Sequence, residues 1–330
     1  MKHLCTILTG LFFISCQSPI QFEIPETAGM SWHKGNTHTH TTNSDGDSSP
    51  QDVATWYKNH GYQFLFLTDH NFLTNPATLS SLTDSSFQLI PGEEVTTRFE
   101  KKEVHINGLN IKELVKPEND TTLVGTIQKN VDAIRAAEGA PHINHPNFRW
   151  SLTKEDLLQV RRDRLIEIFN GHPTVHNQGG GGFPGMEQVW DHLLTSGKRI
   201  YGIAVDDAHH FKGEFGPTRS NPGKGWVVVK AAKLEGAEIV NNLEKGYFYA
   251  SSGVSLDDVI VQEKTLEVRI TQRGSFKYTT TFIGANGAVL KTSIENPAIY
   301  TLQGNEKYVR AKVIDSGGSA AWIQPVFTQR

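Results

Sequence analysis

Cysteine is nearly missing from this 330-residue chain: there are two, Cys5 and Cys16, both close to the N-terminus. Neither a disulfide framework nor a thiolate metal site is therefore available to the rest of the chain. A surplus of charge is missing too, since 32 Lys and Arg face 35 Asp and Glu for a formal net charge of −3. General attraction to polyanions such as nucleic acid is thereby disfavoured. Past the first few residues, no apolar run approaches the roughly 20 residues that cross a bilayer as a helix. Collagen-like, coiled-coil and wholly disordered classes are excluded by ordinary glycine and proline usage and plentiful apolar residues. What is abundant is histidine, at 14 residues.

The N-terminus has the layout of an export signal. Met1-Lys2-His3 is a short basic start, Leu4 to Ile14 is apolar or nearly so, and Ser15-Cys16 follows as a processing site. Phe13-Ile14-Ser15-Cys16 resembles a bacterial lipobox, which implies a signal over residues 1–16 and lipidation of Cys16. The protein would then sit in the bacterial cell envelope, in the periplasm or outside the cell, touching the membrane by its lipid anchor only. An ordinary secretory signal with an incidental Cys16 is the other reading, and it would release the protein. Residues 17–31 are polar and contain proline, as a tether would.

From about Ser31 to Gly253 short apolar runs alternate with amphipathic stretches, the pattern of β/α units around a mostly parallel sheet. Strands are expected at 64–67, 87–90, 104–109, 141–144, 165–169, 200–205 and 226–229. Helices are expected from Ser49-Pro50 to Gly61 and over 124–138, 154–160, 187–196 and 234–245, several closed by glycine. After Gly253 the pattern changes to period-two alternation, as in Leu266 to Ile270 and Val309 to Val313, with turn signals at 284–287 and 315–318. A small antiparallel β domain over 254–330 is the expectation, its role open between docking and glycan binding.

Histidine, aspartate and glutamate recur just after the apolar runs. They are His38, His40, Asp45, Asp69, His70, Glu93, Glu94, His105, His145, Glu167, Asp206, Asp207 and His209. In a β/α barrel the C-terminal strand ends share one rim, so these residues would converge. His38-Thr39-His40 in extended chain puts both imidazoles on one face, a spacing that suits two bonds to one metal ion. A lone pair of this kind, or a lone glutamate, is commonly structural; a whole set at strand ends is not, because clustered carboxylates repel unless cations sit between them.

Four motifs in order resemble the PHP (polymerase and histidinol phosphatase) family of metal-dependent phosphoesterases. They are Gly35 to His40 with Ser44-Asp45-Gly46, Thr68-Asp69-His70-Asn71, His145-Pro146, and Asp207-Ala208-His209, with Pro91-Gly92-Glu93-Glu94 and Val104-His105 between them. Gly35 to His40, Ser44 to Pro50 and Phe248 to Gly253 are similar to the CehA/McbA-like branch, which includes a carbamate hydrolase. The resemblance implies an α/β fold, a distorted seven-stranded TIM-like barrel over 32–253, and two or three Zn, Mn or Fe ions. It assigns His38, His40, Glu94 and Asp207 to one metal, Asp45, His70 and His209 to a second, and Glu94, His105 and His145 to a third.

Asp69 and Glu167 are then candidates to orient an imidazole or a water. Arg149, just after His145-Pro146, is a candidate phosphate clamp, and Lys34 a weaker one. A hydroxide held between two metal ions would attack a phosphoester, mono- or diester, of a small-molecule substrate. The same centre suits a carbamate, ester or amide. A third reading is a lipoprotein that binds a ligand through the metal site without turning it over. The glycine-rich loop from His176 to Met186 would lie on the active rim, as a lid, a substrate wall or a plain connector.

Overall fold

The computed structural model describes residues 20–329, so the expected signal and lipidation site at residues 1–16 lie outside the described residues. The chain runs β1 (Gln21–Phe22), β2 (Ser31–Asn36), α1 (Pro50–Asn59), β3 (Phe64–Leu67), β4 (Gln88–Phe99) and β5 (Lys102–Leu109). Next come α2 (Leu123–Ala136), β6 (Ala140–Ile143), α3 (Lys154–Gln159), β7 (Leu165–Asn170), α4 (Met186–Thr195) and β8 (Tyr201–Val205). Then β9 (Trp226–Ala231), α5 (Gly236–Glu244) and β10 (Phe248–Ser251) complete the first part. The rest is strand: β11 (Leu256–Val261), β12 (Thr265–Ile270), β13 (Tyr278–Ile283), β14 (Val289–Ser293), β15 (Ala298–Thr301), β16 (Tyr308–Asp315) and β17 (Ala320–Gln329).

All five expected helices form. α1 starts where Ser49 Oγ accepts the Asp52 backbone N–H beside Pro50, and α3 starts on a reciprocal Thr153/Asp156 capping box. Strand β3 is apolar throughout because it is covered on both faces. Its Phe64 and Phe66 join the central core, while Leu65 and Leu67 pack with Val53, Ala54 and Tyr57 of α1.

The large sheet has the order β14-β13-β16-β17-β10-β9-β2-β3-β4-β5-β6-β7-β8, with β1 beside β17. Two expectations are corrected by it. The sheet is mixed rather than mostly parallel: β2·β3, β3·β4, β6·β7 and β7·β8 are parallel, whereas β5 is antiparallel to both its neighbours and so is β9. The cause is the two-residue turn between β4 and β5, too short for the crossover that parallel strands need. Nor is there a closed seven-stranded barrel, because β8 pairs with β7 alone.

Two devices stand in for closure. Tyr201 N–H of β8 turns toward Arg164 O, so the next residue, Gly202, faces the other way. There the buried Gln324 side chain of β17 accepts from Gly202 N–H and donates to Gly202 O, both at 2.8 Å. At the C-terminal strand ends, Asp207 N–H donates to His38 O (3.1 Å) and His40 N–H to Ala208 O (2.9 Å), stitching the segments after β2 and β8 together.

Strands β11, β12 and β15 form a second sheet, packed on β13, β16 and β17 over a core that includes Leu266, Val268, Phe282, Val309 and Ile323. Hydrogen bonding runs across the boundary expected near Gly253 through β10·β17. The fully buried Arg310 of β16 adds a bidentate pair to Asp191 of α4, with both bonds at 2.7 Å.

Candidate metal centre

Gly35 sets the course of the first motif. A Cβ there would lie 2.2 Å from the Phe64 ring, so only glycine lets β2 approach β3 this closely. Beyond β2 the chain delivers His38 and His40, both buried, to the rim. Glu94 lies within β4, and His105 within β5, where the antiparallel register sets it opposite Thr96. His145 and Asp207 follow β6 and β8 with left-handed φ of 23° and 49°. Such conformations are costly for non-glycine residues and persist where surrounding bonds hold them. Here His145 N–H donates to Glu167 Oε2 at 2.8 Å, and Asp207 N–H to His38 O.

Two imidazole nitrogens each approach two carboxylates at the distances that ligands of one ion keep. His38 Nε2 and His40 Nε2 are 3.1 Å apart. Each faces Glu94 Oε2, at 3.4 and 3.3 Å, and Asp207 Oδ1, at 3.3 and 3.2 Å. Bonds of about 2.0–2.2 Å to one tetrahedral ion place its ligand atoms about 3.3–3.6 Å apart. Glu94 Oε2 is also buried without a well-formed hydrogen bond, an expensive state that a cation relieves. The donor set therefore fits a divalent metal ion.

Hydrogen bonds assign three tautomers. His38 Nδ1 donates to Glu167 Oε1 at 2.6 Å, which turns the Nε2 lone pair toward Glu94 and Asp207. His209 Nδ1 donates to Asp207 O at 2.9 Å, leaving Nε2 facing Asp45 Oδ1 at 3.3 Å. Thr96 Oγ spends its hydrogen on Glu94 O, so it accepts from His70 Nδ1 at 2.6 Å, and His70 Nε2 faces Asp45 Oδ2 at 3.6 Å. This is the arrangement that imidazole ligands require.

A second group joins Asp45, His70 and His209 with His40. Around Glu94 Oε1 stand His105 Nδ1 at 3.1 Å and His145 Nε2 at 3.4 Å, while the tightest triads group His105 with His70 and Glu94, and His145 with His38 and Asp207. All nine residues assigned by resemblance thus meet in one cluster.

The electrostatics follow from crowding acids and imidazoles in a buried place. Burial alone would push Glu94 and Asp207 up, but neighbouring imidazoles, His70 and His38 foremost for Glu94 and His38 for Asp207, hold both carboxyls well below their usual range. Burial and the adjacent His209 push His40 down to about 3. For His70, burial is outweighed by Glu94 and Asp45, which raise it to about 9.

The other candidates divide. Glu167 orients His38 and the His145 backbone, as expected of an orienting acid. Asp69 touches no imidazole: it binds Thr41 N–H (2.7 Å), Thr41 Oγ (2.8 Å) and Ser44 Oγ (2.8 Å), fixing the turn that carries Asp45. Arg149 pairs with Glu103 at 2.8 Å, is largely exposed, and does not line the central cavity. Lys34 is held over the Tyr62 and Trp226 rings. Asp206 faces away, accepting from Tyr57 Oη, Lys224 N–H and Gly225 N–H.

Sequence reasoning missed Asn144, which donates to Glu94 Oε1 at 2.8 Å, and Asn170, which donates to Glu167 Oε2 at 2.8 Å and Asp207 Oδ2 at 3.1 Å. Nor did it give a role to His172, which lines the cavity of about 140 Å³ above the cluster with Phe148 and Val175. Asn144 precedes His145, and Asn170 ends β7, so strand-end position was the available signal. A larger cavity, about 840 Å³, lies at the opposite end of the strands among Trp32, Arg164, Tyr201 and Phe327, and holds no residue of the cluster.

No protein-family model matches the sequence. The chain is 38% identical over 77 residues to the 5'-3' exoribonuclease Rnm of Salmonella typhimurium, a match that spans 22% of this chain and 26% of that protein. A solved amidohydrolase from Chromobacterium violaceum aligns at 15% identity over 57% of this chain and 93% of its own, at a TM-score of 0.40 that carries no argument. A Bacteroides vulgatus two-domain protein, described as containing a predicted PHP-like metal-dependent phosphoesterase, aligns over 94% of this chain and all of its own. Its sequence is 16% identical and the TM-score is 0.52. The alignment over nearly the whole chain shows the architecture: the chain has the PHP-like metal-dependent phosphoesterase fold.

Proposed function

We propose that the chain is a metal-dependent hydrolase of the CehA/McbA-like branch that cleaves a phosphoester, mono- or diester, of a small molecule. The observation that carries this is the approach of the His38 and His40 Nε2 atoms to both Glu94 and Asp207, two carboxylates crowded into a buried place. Asp45, His70 and His209 would hold a second ion, and His105 and His145 with Glu94 a third. Bound divalent ions lower the pKa of a water from about 15.7 toward about 7 and neutralise charge on phosphoryl oxygens. Glu167, Thr96 and the Asp207 carbonyl keep the imidazoles in the ligating tautomer, and Asp69 holds Asp45 in place. Phe148 and Val175 wall the cavity against water.

The exoribonuclease relative supports phosphodiester chemistry, although it matches only 77 residues. The balanced charge of this chain favours small substrates over nucleic acid. One observation favours a second reading, a carbamate, ester or amide: among the described residues no Lys or Arg lines the cavity, so no side-chain cation waits for a phosphate. In our reading the signal over 1–16 exports the protein and lipidated Cys16 anchors it in the cell envelope.

Metal content per chain, measured beside turnover of bis(4-nitrophenyl) phosphate, 4-nitrophenyl phosphate and a matched aryl carbamate, tests the assignment. Two or three Zn, Mn or Fe ions with phosphoester turnover that His40→Ala and Asp207→Ala abolish is the expected result. Carbamate turnover alone moves the second reading forward, and a chain that stays metal-free after reconstitution ends both. Radiolabelled palmitate incorporation that Cys16→Ala abolishes tests the anchor.

A further inference from the structure

We propose that His172 is a substrate-contacting residue that donates its Nε2–H to an oxygen of the scissile group beside the metal centre; this rests on the hydrolase reading above. His172 stands two residues beyond β7, on the wall of the 140 Å³ cavity that the ligand cluster also lines. It belongs to none of the ligand groups. Its ring meets that of His209 edge to face, with centroids 5.4 Å apart.

The proton is placed by hydrogen bonding. His172 Nδ1 lies 3.3 Å from the Thr174 backbone N–H, a group that only donates, and 2.9 Å from Thr174 Oγ. Nδ1 is therefore an acceptor, and the neutral ring carries its hydrogen on Nε2. In their neutral, ligating form His38, His70 and His209 would have the opposite tautomer, with hydrogen on Nδ1 and a bare Nε2. An imidazole that presents N–H rather than a lone pair is a poor ligand and a good partner for a substrate oxygen.

The backbone around it is braced for that task. His172 N–H donates to Asn170 Oδ1 at 2.7 Å, and the Asn170 amide binds Glu167 and Asp207. Asn170 N–H in turn donates to Asn177 Oδ1 at 2.9 Å, and Asn177 Nδ2 to Asn170 O at 2.8 Å. One asparagine thus ties the donor to two residues of the metal centre, which is how a substrate contact gains fixed geometry. No Lys or Arg lines the cavity, so its wall offers a substrate oxygen no side-chain cation of that kind, and His172 lines it without belonging to a ligand group.

The test uses the metal-loaded full chain, with inorganic phosphate as the probe, in wild type, His172→Phe and His172→Gln. Calorimetry reads phosphate affinity, elemental analysis reads metal per chain, and 15N NMR of the imidazoles reads the tautomer. The expected result is unchanged metal content in both variants, about tenfold weaker phosphate binding in His172→Phe, most affinity retained in His172→Gln, and an Nε2–H tautomer at His172. Metal loss in both folded variants would make His172 a ligand and overturn the proposal. An Nδ1–H tautomer, or equal phosphate affinity in all three proteins, would overturn it as well. Wild type that holds metal but no phosphate would instead fail the phosphoester reading, and the proposal with it.

Discussion

Glu167 accepts a hydrogen bond from His38 Nδ1 at 2.6 Å, with both side chains buried, and so decides which nitrogen of His38 faces the other donors. Glu167→Gln puts an amide in its place, which supports that tautomer more weakly. Metal affinity at this position should fall about 10- to 100-fold, while the fold survives. Competition with a fluorescent chelator measures it; an unchanged affinity would reduce Glu167 to a packing residue.

Metal uptake should depend on pH through His70. Glu94 and Asp45 hold its metal-free pKa at about 9, whereas a ligating imidazole must be neutral. Binding therefore expels a proton below that value, and affinity should climb as pH rises from about 6.5 toward 9. The metal-free chain has the opposite dependence. A raised pKa adds stability that is complete below the unfolded value near 6.5 and is lost as pH rises through about 9. Melting in chelator at pH 6.5 and pH 9.5, beside metal titrations at both, should give opposite trends.

Asp69→Asn should act at a distance. The carboxylate anchors Thr41 and Ser44, and charged hydrogen bonds of this kind contribute about 1.5–3 kcal/mol each. A loss of about 2–3 kcal/mol in urea unfolding is expected, together with fewer ions per chain as Asp45 drifts. The set of His38, His40, Glu94 and Asp207 should keep its ion. Loss of every ion would mean the turn supports the whole cluster.

Arg310→Ala should be the costliest single change away from the centre. It strips Asp191 of its bidentate partner in a buried place, a change that typically costs about 3–5 kcal/mol. Arg310→Met should recover little, since Asp191 still lacks its partner, whereas a double change of Arg310 and Asp191 to apolar residues should recover most. Denaturant midpoints of the three proteins separate these cases.

The ligand cluster was legible because His, Asp and Glu recur after the apolar runs, and the resemblance to the PHP motifs picked the nine ligands from among them. β2 was not legible: Ser31 to Asn36 is polar, since its first half is only part-buried, and apolar runs mark only strands covered on both faces. Glu94 was expected past the end of a strand, yet β4 continues to Phe99 because β5 returns directly alongside it. The roles of Asp69, Asn144 and Asn170 depend on which backbone N–H or carboxylate each one meets, and that is settled by tertiary approach rather than by local pattern. The place of His172 was hidden for the same reason, as its tautomer is decided by Thr174.

The continuity of β10 with β17 gives the C-terminal strands a protective duty. In a chain cut after Gly253, the backbone of Tyr249, Ala250 and Ser251 would lose the ladder that Ile323, Trp322 and Ala321 fill, and Gly202 would lose Gln324. A row of bare amides would open along β10, and one more at Gly202, beside apolar strands, which is the template on which chains stack edge to edge. The C-terminal strands are thus an edge guard for the ligand-bearing half.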